Sequence, residues 1–402
     1  MDSHAALVAT GIARSFVAVK ALSRAELTVR SGSIHALVGE NGAGKSTLIS
    51  IISGLLRPDA GTLQVHGQRA EFRSPLDAVA AGIGTVHQHF MLAEALTVAE
   101  NIALGMRRSA GGLNFRRREI EDEVARLSES TGLHVDPRSR VGDLAVGLRQ
   151  RVEILKALSR GARILLLDEP TAVLAPPEIE KLFDNLRRMR DGGRTIVIVT
   201  HKLDEVTALA SDVTVLRRGE TVFAGPLAGM TPAQIAEKMI GREAPRLAVA
   251  APSIQQAQPP TLEIENLRGA VNVPRLRILG GEILGIAGVE GNGQQELAEA
   301  IIGTRTLSPG DVNVLSMGGS SIRALTPAQR AELGLACIPA DRQREGLVLE
   351  FSLTENLHLR APLQKGPLLD HARMKAHAAK LLPEYDVRPP DPELPAEALS
   401  GG

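Results

Sequence analysis

The feature that most constrains the fold is a glycine-rich loop that occurs twice. The segment GENGAGKST at residues 39–47 recurs as GVEGNGQQE at residues 288–296, so that Gly39 and Gly288 lie 249 positions apart. A second pair of residues follows a similar offset, because Glu100–Asn101 returns as Glu355–Asn356. Self-similarity at a near-constant offset predicts a duplicated domain.

Short apolar runs that alternate with helical patterns indicate the fold class. The runs Ile164–Leu167 and Ile196–Val199 are apolar throughout, which is typical of strands buried on both faces of a parallel sheet. The stretch Glu243–Pro260 holds four prolines and three glutamines and is typical of a linker. We therefore expect an α/β protein with mostly parallel sheets in two domains, residues 1–242 and 261–402, joined by residues 243–260.

Composition excludes several classes of protein. Lys+Arg and Asp+Glu both number 46, so no net charge favours nucleic acid as the main partner. The single cysteine, Cys337, excludes a disulfide framework, and its apolar neighbours favour a buried bystander over a nucleophile. The N-terminal sequence has no export-signal pattern, and no apolar run approaches the ~20 residues that a membrane helix needs.

The first glycine-rich loop has the composition of a phosphate-binding loop. Backbone N–H groups freed by its glycines surround phosphates, Lys45 reaches the β and γ oxygens, and the Ser46 hydroxyl ligates Mg²⁺. The alternative, an ordinary glycine-rich turn, leaves this Lys–Ser pair unexplained. The residues expected to contact the phosphates are Gly39, Glu40, Asn41, Gly42, Ala43, Gly44, Lys45, Ser46 and Thr47.

Two later strand ends supply the remaining polar groups. The segment RILLLDEP ends in Asp168, which can hold Mg²⁺, and Glu169, which can act as a general base on water. His201 ends the segment TIVIVTH and can contact the terminal phosphate. Each of these features alone is also typical of a solvated strand edge or a structural histidine, so their weight comes from the phosphate loop that precedes them.

Together these motifs resemble the ATP-binding subunits of ABC transporters over nearly the whole chain. The resemblance rests on the loop at 39–47, Gln88, the segment Leu144–Arg151, the segment Arg163–Pro170 and His201. It implies two P-loop NTPase domains, each with an inserted helical subdomain, that bind ATP and Mg²⁺. It also implies that Gln88 contacts the metal and the membrane subunits. Phe16 falls where the family stacks an aromatic ring on adenine, although a core Phe remains equally open.

The resemblance also shows where this chain departs from the family. The signature sequence LSGGQ is blunted in the first half, where Ala145 replaces the serine, but is intact as far as it goes at Ser400, Gly401 and Gly402. In the second phosphate loop, Gln294 stands in place of Lys45. If the two cassettes pair head to tail, both losses fall in one composite site. We therefore expect a single hydrolytic site, with catalytic residues Lys45, Glu169 and His201.

Within the family, the tandem layout resembles importers of simple sugars and nucleosides, and phrases such as TVHQHFML favour the nucleoside branch. That implies two membrane permeases, an external solute-binding lipoprotein and a peripheral position on the cytoplasmic face of the membrane. The alternatives are a monosaccharide importer and a tandem ATPase without a membrane partner. The second half reaches only its signature, so we expect a parent of roughly 500 residues, by extension of the repeat.

Overall fold

The structure is a computed structural model that describes residues 5–16, 19–87, 90–104, 117–172, 174–241, 260–269, 271–288, 292–308, 310–359 and 369–399. The chain divides into two compact units. The first comprises Met1–Pro245 with Val387–Pro390 and Glu397–Gly402, and the second comprises Arg246–Asp386 with Asp391–Ala396. The predicted linker, apart from Pro260, lies outside the described residues, so its boundaries stay a prediction.

The first unit is built on a sheet of ten described strands. Their order across the sheet is β5-β4-β1-β2-β10-β9-β3-β8-β7-β6. The strands are β1 Ala5–Phe16, β2 Val19–Arg30, β3 Ile34–Val38, β4 Ala60–Val65, β5 Gln68–Ala70, β6 Ile83–Val86, β7 Ile164–Asp168, β8 Thr195–Val199, β9 Asp212–Arg217 and β10 Glu220–Pro226.

The expected parallel strands lie together on one side of this sheet. Strands β9, β3, β8, β7 and β6 pair in parallel with one another, whereas β2, β1, β4 and β5 pair antiparallel on the other side of the same sheet. Between the two groups, β10 pairs parallel with β2 and antiparallel with β9. The apolar runs Ile164–Leu167 of β7 and Ile196–Val199 of β8 are buried throughout, as predicted, and so are all five residues of β3. Each such aliphatic side chain contributes about 1.5–3 kcal/mol through removal from water.

Helices cover this sheet and form the inserted helical region. They are α1 Lys45–Ile52, α2 Pro75–Ala80, α3 Val98–Ala103, α4 Arg117–Thr131, α5 Val146–Ser159, α6 Pro176–Asp191, α7 Leu203–Leu209 and α8 Pro232–Ile240. The insert between β6 and β7 contains α3, α4 and α5, which share one apolar cluster that includes Ile102, Val124 and Val152. None of the described helices has the length and apolar character needed to cross a membrane.

The second unit repeats part of this plan. The order of its described strands across the sheet is β12-β11-β13-β14, and all of them pair antiparallel. A small apolar core in this unit includes Ile264, Leu297 and Leu315. The strands are β11 Leu262–Leu267, β12 Val273–Ile278, β13 Val314–Met317 and β14 Ser320–Ser321. The helices are α9 Gln294–Ile302, α10 Pro327–Glu332, α11 Leu353–His358 and α12 His371–Glu384.

One difference from the expected fold concerns the segment before the second glycine-rich loop. By the repeat, residues 283–287 correspond to β3, yet they form no strand ladder with the described residues. Ile283 is 97 % exposed and Ile286 is 54 % exposed. In the first unit β3 is paired on both sides, with β8 and β9, and the described part of the second unit holds no counterpart of those two strands. The parallel part of the fold is therefore confirmed for the first unit only.

A buried histidine lies at the start of β3 in the first unit. His35 is 2 % exposed, its Nε2 lies 2.8 Å from the hydroxyl of Thr214, and its Nδ1 has no partner within the described residues. Burial lowers the pKa of His35 from 6.5 to about 4, against the opposing charge of Asp212. The neutral imidazole is therefore the form that the folded first unit accommodates.

We expect the first unit to lose stability as the pH falls from 6.5 towards 4. In this window the unfolded chain binds a proton at His35 and the folded chain does not, so stability present above pH 6.5 is lost on acidification. Between pH 7.5 and 5 the His35 contribution is about 2 kcal/mol. Urea denaturation followed by circular dichroism measures it, and His35→Leu should remove that part of the pH dependence. The exposed His134 provides a control, since His134→Leu should retain it. Equal acid sensitivity of wild type and His35→Leu would contradict this assignment.

Candidate nucleotide-binding site

The sheet brings three predicted site segments to one edge. Strands β3, β8 and β7 are neighbours and run parallel, with Leu37 paired to Val199 and Val199 paired to Asp168. Because carboxyl ends of parallel strands meet at the same edge, the residues that follow them are brought together. Gly39 follows β3, Asp168 ends β7, and His201 follows β8.

The first glycine-rich loop is shaped by close backbone packing. Gly44 has φ 101° and precedes the first residue of α1, a conformation that side chains rarely adopt. A Cβ at Gly44 would lie 2.5 Å from Leu22 Cδ2 and 2.7 Å from the carbonyl oxygen of Ala21. The loop is also held by a hydrogen bond from Gly219 N to Ala43 O of 3.0 Å. Only glycine fits at position 44.

The side chain of Lys45 folds back onto this loop. Its Nζ donates to Gly39 O at 2.8 Å and to Glu40 O at 2.9 Å, and the residue is 7 % exposed. Burial lowers the pKa of Lys45, while the carboxylates of Glu169 and Asp168 oppose that effect. The ammonium group therefore lies inside the loop, close to the carboxylates at the end of β7.

The other predicted loop residues differ in exposure. Ala43 and Gly39 are buried, and Gly44 and Thr47 are partly buried. The exposed residues, whose polar groups face solvent at the loop and the first turn of α1, are Glu40, Asn41, Gly42 and Ser46. The loop therefore offers backbone donors and a hydroxyl on its open side.

The two adjacent carboxylates at the end of β7 are partly buried and repel each other. Burial raises the pKa of Asp168, and the neighbouring Glu169 adds to that shift, whereas His87 and Lys45 oppose it. Glu169 has φ 46°, a left-handed conformation that costs a non-glycine residue about 1–3 kcal/mol. A hydrogen bond from Glu169 N to Val199 O of 2.9 Å helps to hold this turn. Strain of this kind is concentrated at functional sites.

Glu169 and His201, predicted separately from two strand ends, are in contact. His201 Nδ1 lies 3.0 Å from Glu169 Oε1. The Glu169 side chain is 18 % exposed and that of His201 is 51 % exposed. The Glu169 carboxylate is therefore held beside an imidazole and remains partly open to solvent.

A buried polar network supports this turn and was missed by sequence reasoning. The Thr171 hydroxyl donates to Glu205 Oε1 at 2.5 Å, and the Thr200 hydroxyl donates to Glu205 Oε2 at 3.0 Å. Gln150 on α5 donates to the carbonyl oxygen of Pro170. All of these residues are buried, Pro170 included. They lie on separate elements and form no local motif, so only the fold reveals them.

Several predicted site residues do not lie at the edge formed by β3, β7 and β8, or fall outside the described residues. Gln88 and the second signature, Ser400, Gly401 and Gly402, are outside the described residues. Phe16 ends β1 and is 38 % exposed. Ala145 is the residue before α5, and Gln294 begins α9, with its side-chain amide directed at Gly288. Cys337 is a free thiol and is partly exposed.

We expect Gly44→Ala to disrupt the loop more than a glycine substitution in open space. Gly67 has φ 77° and no atom within 4 Å of the position that a Cβ would occupy, so Gly67→Ala incurs only backbone strain. Gly44→Ala adds contacts with Leu22 and Ala21 that must be relieved by moving the loop. Thermal denaturation should show a larger loss for Gly44→Ala, and calorimetry should show lost binding of inorganic tripolyphosphate. Equal behaviour of the two variants would contradict the close-packing argument.

Comparison with known proteins identifies relatives over most of the chain. The family model described as ABC transporter matches residues 22–172. The nucleoside import ATP-binding protein NupA of Lactococcus lactis is 41 % identical, over 94 % of this chain and 76 % of the relative. The guanosine import ATP-binding protein NupO of Bacillus subtilis is 40 % identical, over 97 % and 78 %. The glucose import ATP-binding protein TsgD13 of Haloferax volcanii is 39 % identical, over 97 % and 78 %.

Solved structures give the same fold. The structure of cbiO1 from Clostridium perfringens, part of the ABC transporter complex cbiONQ, is 27 % identical and has a TM-score of 0.50. The match covers 59 % of this chain and 93 % of that one. Relatives above 30 % identity are matched over more than two thirds of their length, and the phosphate loop, strand-end carboxylates and histidine are in place. The chain belongs to the ATP-binding subunits of ABC transporters, a family of ATPases.

Proposed function

We propose that the first unit carries the hydrolytic site and that hydrolysis there drives import through a membrane complex. The observation that supports this most strongly is the convergence of Lys45, Glu169 and His201 at the edge formed by β3, β7 and β8. Three strand ends that are far apart in the sequence supply a cation, a carboxylate and an imidazole at one place. That set serves phosphoryl transfer to water.

Mg²⁺ fits the residues present at this edge. The Ser46 hydroxyl and the Asp168 carboxylate are hard oxygen donors of the kind Mg²⁺ prefers, and Gln88 adds an amide oxygen by the family resemblance. Burial and the charge of the neighbouring Glu169 both raise the pKa of Asp168, so a bound cation would offset negative charge at this strand end. When bound, the ion would neutralise phosphate charge.

Each group at this edge has its own role in the proposed hydrolysis of ATP. Backbone amides of the loop and Lys45 bind the phosphates and offset charge in the transition state. Glu169 orients a water molecule and accepts its proton, and His201 holds the Glu169 carboxylate through the 3.0 Å contact. Asp168, one residue earlier at the end of β7, would hold the metal.

The sequence of the second glycine-rich loop favours binding of nucleotide without efficient hydrolysis. Gln294 occupies the position of Lys45 and cannot supply a positive charge to the phosphates. In a head-to-tail arrangement of the two units, the first phosphate loop would face Ser400, Gly401 and Gly402, and the second would face Ala145. Both losses then fall in one site and the other site is spared.

We expect mutations to affect the two loops unequally. Glu169→Gln should lower kcat of ATP hydrolysis by about 10²- to 10⁴-fold, since it removes the general base. Lys45→Ala should abolish turnover by loss of phosphate charge compensation. Gln294→Ala, at the matched position of the repeat, should leave the rate unchanged. Steady-state phosphate release with purified transporter measures all three. A large loss in Gln294→Ala, or survival of activity in Glu169→Gln, would overturn the assignment.

The proposed partners are two membrane permeases and an external solute-binding lipoprotein, with this chain on the cytoplasmic face of the membrane. The basis is similarity to import ATP-binding proteins over more than 90 % of the chain. Balanced charge, with 46 basic and 46 acidic residues, disfavours the alternative of a tandem ATPase that acts on nucleic acid. Co-purification with permeases separates the two hypotheses.

We propose a nucleoside as the cargo. The proteins from Lactococcus lactis and Bacillus subtilis, whose names specify nucleoside and guanosine import, are 41 % and 40 % identical to this chain. A monosaccharide is the second candidate, because the glucose import protein of Haloferax volcanii is 39 % identical. In an importer the permeases and the external binding protein contact the cargo, so the choice requires a transport measurement.

We therefore expect a strain that lacks this subunit to lose uptake of labelled nucleosides and to retain uptake of ribose, glucose and galactose. Complementation with the wild-type gene should restore nucleoside uptake, and complementation with Glu169→Gln should not. Normal nucleoside uptake beside lost monosaccharide uptake would favour the second candidate and contradict the first.

A further inference from the structure

Three side chains form a compact cluster at the end of β1 in the first unit. The guanidinium carbon of Arg14 lies 5.1 Å from the ring centroid of Phe16. Arg14 Nη1 donates to Asp59 Oδ1 at 2.6 Å, and the backbone N of Ser15 donates to Asp59 Oδ2 at 2.7 Å. Asp59 therefore holds both the guanidinium that covers the ring and the backbone that carries it.

The strand geometry explains why these residues meet. Arg14 and Phe16 are two positions apart on β1, and alternate residues of a strand project from the same face. Asp59 directly precedes β4, which pairs antiparallel with β1 so that Ala13 lies opposite Ala60. The backbone N of Asp59 also donates to Ala13 O at 2.8 Å, which fixes the approach of the carboxylate.

The Asp59 carboxylate, which anchors Arg14, is solvent-exposed and charged at neutral pH. The hydrogen bond from Ser15 N lowers the pKa of Asp59, and Arg14 lowers it further. A cation over an aromatic face is attracted by the ring's negative quadrupole, so Arg14 stabilises one orientation of Phe16. The ring remains 38 % exposed, which leaves surface for another planar group.

The cluster borders the phosphate loop. Phe16 pairs with Val19 and Arg14 pairs with Leu22 across the β1–β2 hairpin. Leu22 is the residue that packs against Gly44, at the start of α1. The same short piece of β2 therefore contacts the phosphate loop on one side and pairs with the residues that carry the ring on the other.

We propose that Arg14, anchored by Asp59, is a positioning residue that holds the Phe16 ring as a stacking platform for the purine base of the bound nucleotide. This inference rests on the proposed function of the first unit as the ATP-hydrolysing site. It assigns to Arg14 and Asp59 a contribution that depends on the base and not on the phosphates. Both residues act through Phe16 and have no part in the hydrolysis step.

The test compares ATP with inorganic tripolyphosphate, which lacks the base. Calorimetry with the full chain should show Arg14→Ala weakening ATP binding about 2- to 5-fold, the range of an exposed cation–π contact, with tripolyphosphate affinity unchanged. Arg14→Lys should retain most of the ATP affinity, and Asp59→Asn should fall between. KM for ATP should rise in Arg14→Ala while kcat stays constant. Arg69→Ala on β5, which removes an exposed ion pair with Glu71, is the matched control and should leave the affinity for both ligands unchanged.

A double-mutant cycle with Phe16→Ala decides whether Arg14 acts through the ring. If it does, Arg14→Ala has no further effect on ATP affinity once Phe16 is removed. Additive losses, equal weakening of ATP and tripolyphosphate, or an unchanged ATP affinity in Arg14→Ala would each overturn the inference. Failure of the wild-type chain to bind ATP would instead overturn the proposed function, so the two failures are distinguishable.

Discussion

The site depends on the parallel pairing of β3, β8 and β7. Each strand is short and almost entirely buried, so its register is fixed by apolar packing on both faces. A slip of one residue in β7 would reverse the faces of Leu165 and Leu166, which are fully buried in different clusters, and would displace Glu169 from His201. The buried aliphatic side chains therefore define the site as much as the polar residues at the strand ends.

Burial also sets the electrostatics of this edge. Lys45 is buried beside two carboxylates, and loss of solvent lowers its pKa while raising that of Asp168. The desolvated charges interact more strongly with one another than they would in water, which makes the site sensitive to the charge of a ligand. The buried hydrogen bonds from Thr171 and Thr200 to Glu205 brace the segments that follow β7 and β8, which is the kind of preorganisation that the proposed hydrolysis would use.

The sequence was sufficient to predict features that follow from local composition. The phosphate loop, the strands that end in Asp168 and precede His201, and the parallel sheet of the first unit were all accessible, because apolar runs and glycine spacing report backbone geometry directly. Gln150 and the Arg14–Asp59 pair were not accessible, since residues 20 and 45 positions from their partners meet only through sheet order. The apolar pattern of segment 283–287 does not by itself decide whether it forms a strand, because a strand also needs neighbours, and it pairs with none among the described residues.

The second glycine-rich loop separates backbone geometry from charge. Gly293 has φ 102° and ψ 4°, against 101° and 4° for Gly44, and each glycine directly precedes a helix. A Cβ at Gly293 would lie 2.9 Å from Val271 Cγ2, a side-chain contact, whereas at Gly44 it would also meet the backbone oxygen of Ala21. The repeat therefore keeps the glycine turn that opens α9, and Gln294 replaces the ammonium group of Lys45. Backbone amides alone suffice to bind an anion in its ground state. Such amides lack the positive charge that stabilises the transition state, which supports the proposal that hydrolysis is confined to the first loop.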